Sequence, residues 1–148
     1  MSLLENVMRN YTRWLVISWI FFAFSAVAEV INIDNDKLQT LIKQGVPIVD
    51  IRTSEEWQAT GIVEGSHLLT FFDRNGRYDV ANWTQSLEKI IKKNQPVILI
   101  CRTGNRTTTV SHFMDKKMNY HTVYNVEKGI VAWIKKGNPV VKPSVPQK

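Results

Sequence analysis

Val97-Ile98-Leu99-Ile100, followed by Cys101-Arg102-Thr103-Gly104-Asn105-Arg106-Thr107, is the stretch on which the fold turns. The first four residues are wholly apolar and sit behind the breaker Asn94-Gln95-Pro96, a pattern that predicts a strand buried on both faces. From Thr107 onward Val110, Phe113, Met114 and Met118 recur at helical spacing. A doubly buried strand feeding a helix through a short polar loop belongs to a parallel sheet, where ligands lie at the carboxyl ends of strands. Cys101 occupies that kind of position.

The same alternation extends outward in both directions. Upstream, Val30 to Ile33 predicts a strand, and Asp34 to Gln44 a helix with Leu38, Leu41 and Ile42 on one face, ended by Gly45. Val46 to Ile51 predicts a buried strand ending at Asp50. Thr53 and Glu56 form a capping box for a short helix through Trp57, which Gly61 ends. Ser66 to Thr70 predicts another strand, and Asn75-Gly76 a turn. Asp79 caps a helix carrying Trp83, Leu87, Ile90 and Ile91. Downstream, Thr122 to Val126 predicts the last strand and Glu127 to Lys136 the last helix, with Pro139 preventing more. Five strands alternating with helices predict a parallel α/β sheet covered on both faces. Trp57, Trp83 and Trp133 are expected as core anchors.

A chain of 148 residues suits one domain of ordinary size. Its formal charge of +6 owes much to Lys92-Lys93, Lys116-Lys117 and Lys135-Lys136, each expected to end a helix, where cations complement the dipole. With no basic run interleaved with aromatics, nucleic acid is not an expected partner. Arg9 and Arg13 precede an apolar run from Trp14 to Phe24 and then Ser25-Ala26-Val27-Ala28. This is the pattern of a secretory signal over residues 1–28, cut after Ala28. The expected location is therefore periplasmic or secreted, with no stable membrane insertion after cleavage; the alternative is an anchor made by an uncleaved N-terminal helix. The domain is expected over 29–141 and a loose tail over 142–148.

The lone cysteine cannot close an intramolecular disulfide, so its thiol calls for a chemical account. The thiolate is the nucleophile, and a free thiol with a pKa of about 8.5 is only about 3% ionised at pH 7. Gly104 lets the loop curl so that amide N–H groups converge on the sulfur, and the start of the next helix offers more. Hydrogen bonds to a charged acceptor, at about 1.5–3 kcal/mol each, exceed what a helix dipole supplies. Cys101 is the expected nucleophile. Arg102 is expected to hold an anionic donor at the pocket mouth, with Thr103, Gly104, Asn105 and Thr107 contributing mostly backbone N–H groups. Arg106 either binds substrate or pairs with Asp50 and braces the loop; bracing is favoured, and Asp50 is then structural. His67, His112 and His121 lie on different elements without ligand spacing, so no metal site is expected.

At these residues the chain resembles the rhodanese family. Cys-x-x-Gly-x-Arg after an apolar strand is like the active-site loop of many single-domain members. Val49-Asp50-Ile51-Arg52, Glu56-Trp57 before Gly61 to Ser66, and Gly129 to Val140 add to the likeness, which spans nearly all of the chain after residue 28. Members often carry His-Ile-Pro where this chain has Ile62-Val63-Glu64, a departure in scaffold. The resemblance implies a three-layer sandwich around a five-stranded parallel sheet. It also implies a sulfurtransferase without metal or organic cofactor, which takes sulfur from a small anionic donor such as thiosulfate onto Cys101 as a persulfide. A thiol, a protein or cyanide would be the acceptor. Two other readings compete: a non-catalytic sulfur carrier or sensor for a partner protein, and a phosphatase. The tyrosine-phosphatase loop has one residue more between cysteine and arginine, and no general acid is evident here for a phosphate ester.

Overall fold

The structure, a computed structural model, describes residues 29–143. The signal expected over residues 1–28 and most of the expected tail lie outside the described residues. Within them the chain alternates β1 (Glu29–Ile33), α1 (Asn35–Lys43), β2 (Ile48–Asp50), α2 (Ser54–Thr60), β3 (His67–Leu68), α3 (Val80–Leu87), β4 (Val97–Ile100), α4 (Asn105–Met118), β5 (Thr122–Val126) and α5 (Gly129–Lys135). The strands form one sheet in the order β1-β5-β4-β2-β3, every pairing parallel.

The wholly apolar β4 lies at the centre, and all four of its residues are buried. Successive side chains leave a strand on opposite faces, and the core divides accordingly. Val49, Ile51, Val97, Leu99, Cys101 and Val123 pack with Trp83 and Leu87 of α3 and Val110 and Met114 of α4. Ile48, Ile98, Ile100 and Val126 pack with Leu38 and Leu41 of α1 and Ile130 and Trp133 of α5. The result is three layers: helices, sheet, helices. From β2 the chain moves outward to β3, whereas from β4 it moves the other way to β5. The carboxyl ends of β2 and β4 therefore border a crevice at a topological switch point.

Several boundaries differ from the expectation for physical reasons. Pro47 delays the start of β2, although its carbonyl still accepts from the Ile98 N–H at 2.9 Å. α3 stops at Leu87, and residues 88–91 close as a turn, with the Ile90 and Ile91 N–H groups donating to the Leu87 carbonyl. Ile91 stays buried all the same. Lys92-Lys93 consequently lies beyond the helix, and the dipole account holds only for Lys116-Lys117 and Lys135. Trp83 and Trp133 are core residues, but Trp57 is only half-buried and its indole N–H has no partner. After Pro139 the chain returns to the sheet region, where Val141 and Ile62 exchange antiparallel hydrogen bonds of 2.9 Å in both directions. Among the described residues no helix is long and apolar enough to cross a membrane.

Candidate active site

Cys101 leaves the carboxyl end of β4 on the α4 side of the sheet and is 1% exposed. The backbone reverses at Gly104, whose φ of +94° suits glycine, and α4 begins at Asn105, earlier than periodicity alone indicated. The curl brings the Gly104 N–H to 3.2 Å from the Cys101 Sγ and the Thr107 hydroxyl to 3.5 Å. The side chain is thus nearly sealed, yet one amide N–H donates to its sulfur and one hydroxyl stands beside it. That is the surrounding a sulfur anion needs.

The loop is shaped as much from outside as by its own residues. A Cβ on Gly104 would lie 1.8 Å from the Glu127 carbonyl oxygen, so only a hydrogen fits between the loop and the turn after β5. Gly129, at the start of α5, is equally confined: its Cβ would fall 2.4 Å from the Arg102 carbonyl group and 2.6 Å from the Cys101 carbonyl oxygen. This contact lets α5 approach closely enough for the Ile130 N–H to donate to the Cys101 carbonyl at 2.9 Å. The Val131 N–H likewise donates to the Arg102 carbonyl at 3.1 Å. The carbonyls at the start of the loop are thereby tied to α5.

Arg102, Thr103 and Asn105 are exposed at the rim, whereas Thr107 is fully buried. Arg106 does not pair with Asp50. Its guanidinium instead makes a two-point bond to Glu56, Nη1 to Oε2 at 2.8 Å and Nη2 to Oε1 at 2.6 Å. Asp50 is taken by Arg52. Arg52 lies just past the end of β2 and folds back onto Asp50, so that both carboxylate oxygens accept from it. Arg52 Nε donates to both carboxylate oxygens, at 2.9 and 3.0 Å, and Nη2 to Oδ2 at 2.7 Å. The rest of the guanidinium donates to Thr60 and to the carbonyls of Glu56 and Gly61, and both partners are buried. Asp50 is therefore held by Arg52 at the β2–α2 corner and does not brace Arg106.

Glu56 serves two ends. It closes the capping box with Thr53, accepting from the Thr53 N–H at 3.1 Å, and it holds Arg106 at the start of α4. The Arg106 hydrogen bond holds the Glu56 carboxyl below its ordinary range, against the opposing effect of burial. The same bond raises Arg106, with a smaller attraction from the Cys101 sulfur. Among the described residues no group of His, Cys, Asp or Glu could hold a metal ion.

Sequence reasoning missed Arg52, Glu56 as a partner of Arg106, and Gly129. The spacing of Asp50 and Arg52 carried a usable signal; fifty residues separate Glu56 from Arg106, and nothing local links them.

Known proteins give the same frame. The sequence model of the Rhodanese-like domain matches residues 34–136. The chain is 27% identical over 116 residues to Rhodanese-like domain-containing protein 17 of Arabidopsis thaliana, covering 76% of this chain and 73% of that protein. It is 23% identical over 117 residues to Thiosulfate sulfurtransferase 18 of the same plant, covering 76% and 84%. The crystal structure of a rhodanese-like domain protein from Staphylococcus aureus superposes with a TM-score of 0.57 at 24% identity, covering 77% of this chain and 99% of that one.

Proposed function

We propose, from the premise that this chain belongs to the Rhodanese-like domain family, that it is a sulfurtransferase in which Cys101 carries a sulfane sulfur. The observation that supports the reading best is the convergence of the Gly104 N–H and the Thr107 hydroxyl on one nearly buried sulfur. A relative named as a thiosulfate sulfurtransferase points the same way.

The chemistry follows from that surrounding. The Cys101 thiolate attacks the outer sulfur of thiosulfate; a new S–S bond forms, the bond to the sulfonate sulfur breaks, and its electron pair leaves on sulfite. The persulfide anion then sits among the loop donors. A cyanide or thiolate acceptor attacks its outer sulfur, and the electron pair returns to the Cys101 Sγ. Charge stays on sulfur throughout, so the preorganised Gly104 N–H, with the Thr107 hydroxyl beside it, serves both halves. Arg102 at the rim attracts the anionic donor. With only a sliver of Cys101 exposed, a single terminal sulfur atom reaches it far better than a tetrahedral phosphate ester does.

Incubation with thiosulfate followed by intact-mass measurement tests this. Wild type is expected to gain one sulfur and Cys101→Ser none; equal gain by both overturns the reading. Sulfur gained only from a protein persulfide identifies a carrier fed by a partner. We also propose that the chain is exported, on the strength of Arg9, Arg13 and the apolar run to Phe24. Amino-terminal sequencing of the protein made in a bacterial host is expected to begin at Glu29, and a start at Met1 overturns export by cleavage.

A further inference from the structure

Asn125 is a polar residue in the middle of an apolar sheet. It stands on β5 in register with Leu99 of β4 and Asn32 of β1, and it is 1% exposed. A buried amide left unsatisfied costs about 1–3 kcal/mol, so its contacts call for an account. The oxygen Oδ1 has no partner among the described residues, but both amide protons are spent: Nδ2 donates to the Asn32 Oδ1 at 2.9 Å and to the Thr108 Oγ1 at 3.1 Å.

The second of these bonds sets a direction. A hydroxyl has one proton, and the Thr108 oxygen, having accepted from Asn125, sends its proton to the Gly104 carbonyl at 2.9 Å. That carbonyl also accepts the Thr108 N–H at 2.9 Å. Its two lone pairs are then filled. The Thr107 hydroxyl stands at 2.9 Å from the same carbonyl as a third, surplus donor, while also lying 3.5 Å from the Cys101 Sγ. Thr107 is fully buried, so water offers it no alternative partner.

We propose that Asn125 is a positioning residue which, through Thr108, satisfies the Gly104 carbonyl and thereby leaves the Thr107 hydroxyl proton for the Cys101 sulfur when that sulfur is anionic. In the thiol state the S–H can donate to the Thr107 oxygen. In the thiolate or persulfide state the sulfur only accepts, and a charged acceptor outcompetes a carbonyl that already has two donors. No proton is transferred; the hydroxyl turns. The inference deepens the sulfurtransferase reading and rests on it.

The alkylation rate of Cys101 by iodoacetamide at pH 7 reports stabilisation of the sulfur anion without any sulfur donor. Thr107→Val is expected to lower the rate about tenfold, the worth of one hydrogen bond to a charged group. Thr108→Val, and Asn125→Asp, whose carboxylate would draw the Thr108 proton away from the loop, are expected to lower it in the same direction. Thr108→Ser restores it. The decisive measurement is the double variant: Thr108→Val should add nothing in a Thr107→Val background. The same loss in both backgrounds, or an unchanged rate in Thr107→Val, overturns the proposal. Should Asn125→Asp not fold, the Thr108 variants carry the test. A wild type that alkylates in this pattern yet takes no sulfur from any donor would instead defeat the sulfurtransferase reading, so the two failures are distinct.

Discussion

Two arginine–carboxylate pairs flank the crevice between β2 and β4, and they differ in almost everything but chemistry. Asp50 and Arg52 are two residues apart, with side chains 0% and 1% exposed and further hydrogen bonds to Thr60 and Gly61. Glu56 and Arg106 are fifty residues apart, and about a quarter of each side chain meets solvent. The first is a pin inside one corner of the fold. The second is a strut between α2 and α4, the helix that the sulfur loop opens. A pin and a strut respond differently to the loss of one end, because only the pin leaves an uncompensated charge in a sealed place.

That contrast orders the experiments. Asp50→Ala should produce the largest effect, about 3–5 kcal/mol lost in urea unfolding, because Arg52 is left buried without its counter-ion. Activity should fall with stability, since the β2–α2 corner borders the sulfur loop. A fully stable Asp50→Ala protein would break the distinction. Glu56→Gln should cost less, about 1 kcal/mol, because water can partly replace the lost carboxylate. Its effect on sulfur loading by thiosulfate, read from single-turnover mass changes, should nonetheless exceed its effect on stability, because Arg106 stands at the base of α4.

Acid sharpens the same comparison. The folded-state pKa of Glu56 is lowered from its ordinary value of 4.5. The strut's contribution is therefore complete above about pH 4.5 and is lost as pH falls through the lowered folded value. Melting temperatures of wild type and Glu56→Gln should differ at pH 7 and converge in acid; a gap that stays constant would assign the difference to something other than the carboxylate's charge. The smallest effect belongs to Glu55 and Arg74, a pair on the surface. Glu55→Gln should leave the urea midpoint unchanged.

Much of the frame was legible in residue order, and the exceptions have physical causes. The run Val97 to Ile100 and the glycine of the loop announce a strand-loop-helix junction because periodicity and φ preferences act locally. Thr53 with Glu56 was readable as a capping box for the same reason. The far partner of Glu56 was not, since an ion pair between distant segments is a product of the sheet order and leaves no local mark. Arg52 is the instructive case: it stands two residues from Asp50, close enough for its guanidinium to fold back onto the carboxylate, whereas Arg106 is 56 positions away and meets Glu56 first. Asn125 lies in a strand whose assignment was plain, but its purpose depends on which helix covers that face.

The seat that Gly129 provides for the loop also limits what insertion could do. The Cys101 and Arg102 carbonyls are spoken for by the first amides of α5, and Gly104 has no room against Glu127. Lengthening the loop by one residue would have to move α5 or forfeit these bonds. On this scaffold a change of ring size is thus a change of two elements at once, which separates single-sulfur chemistry from bulkier anions by more than one step.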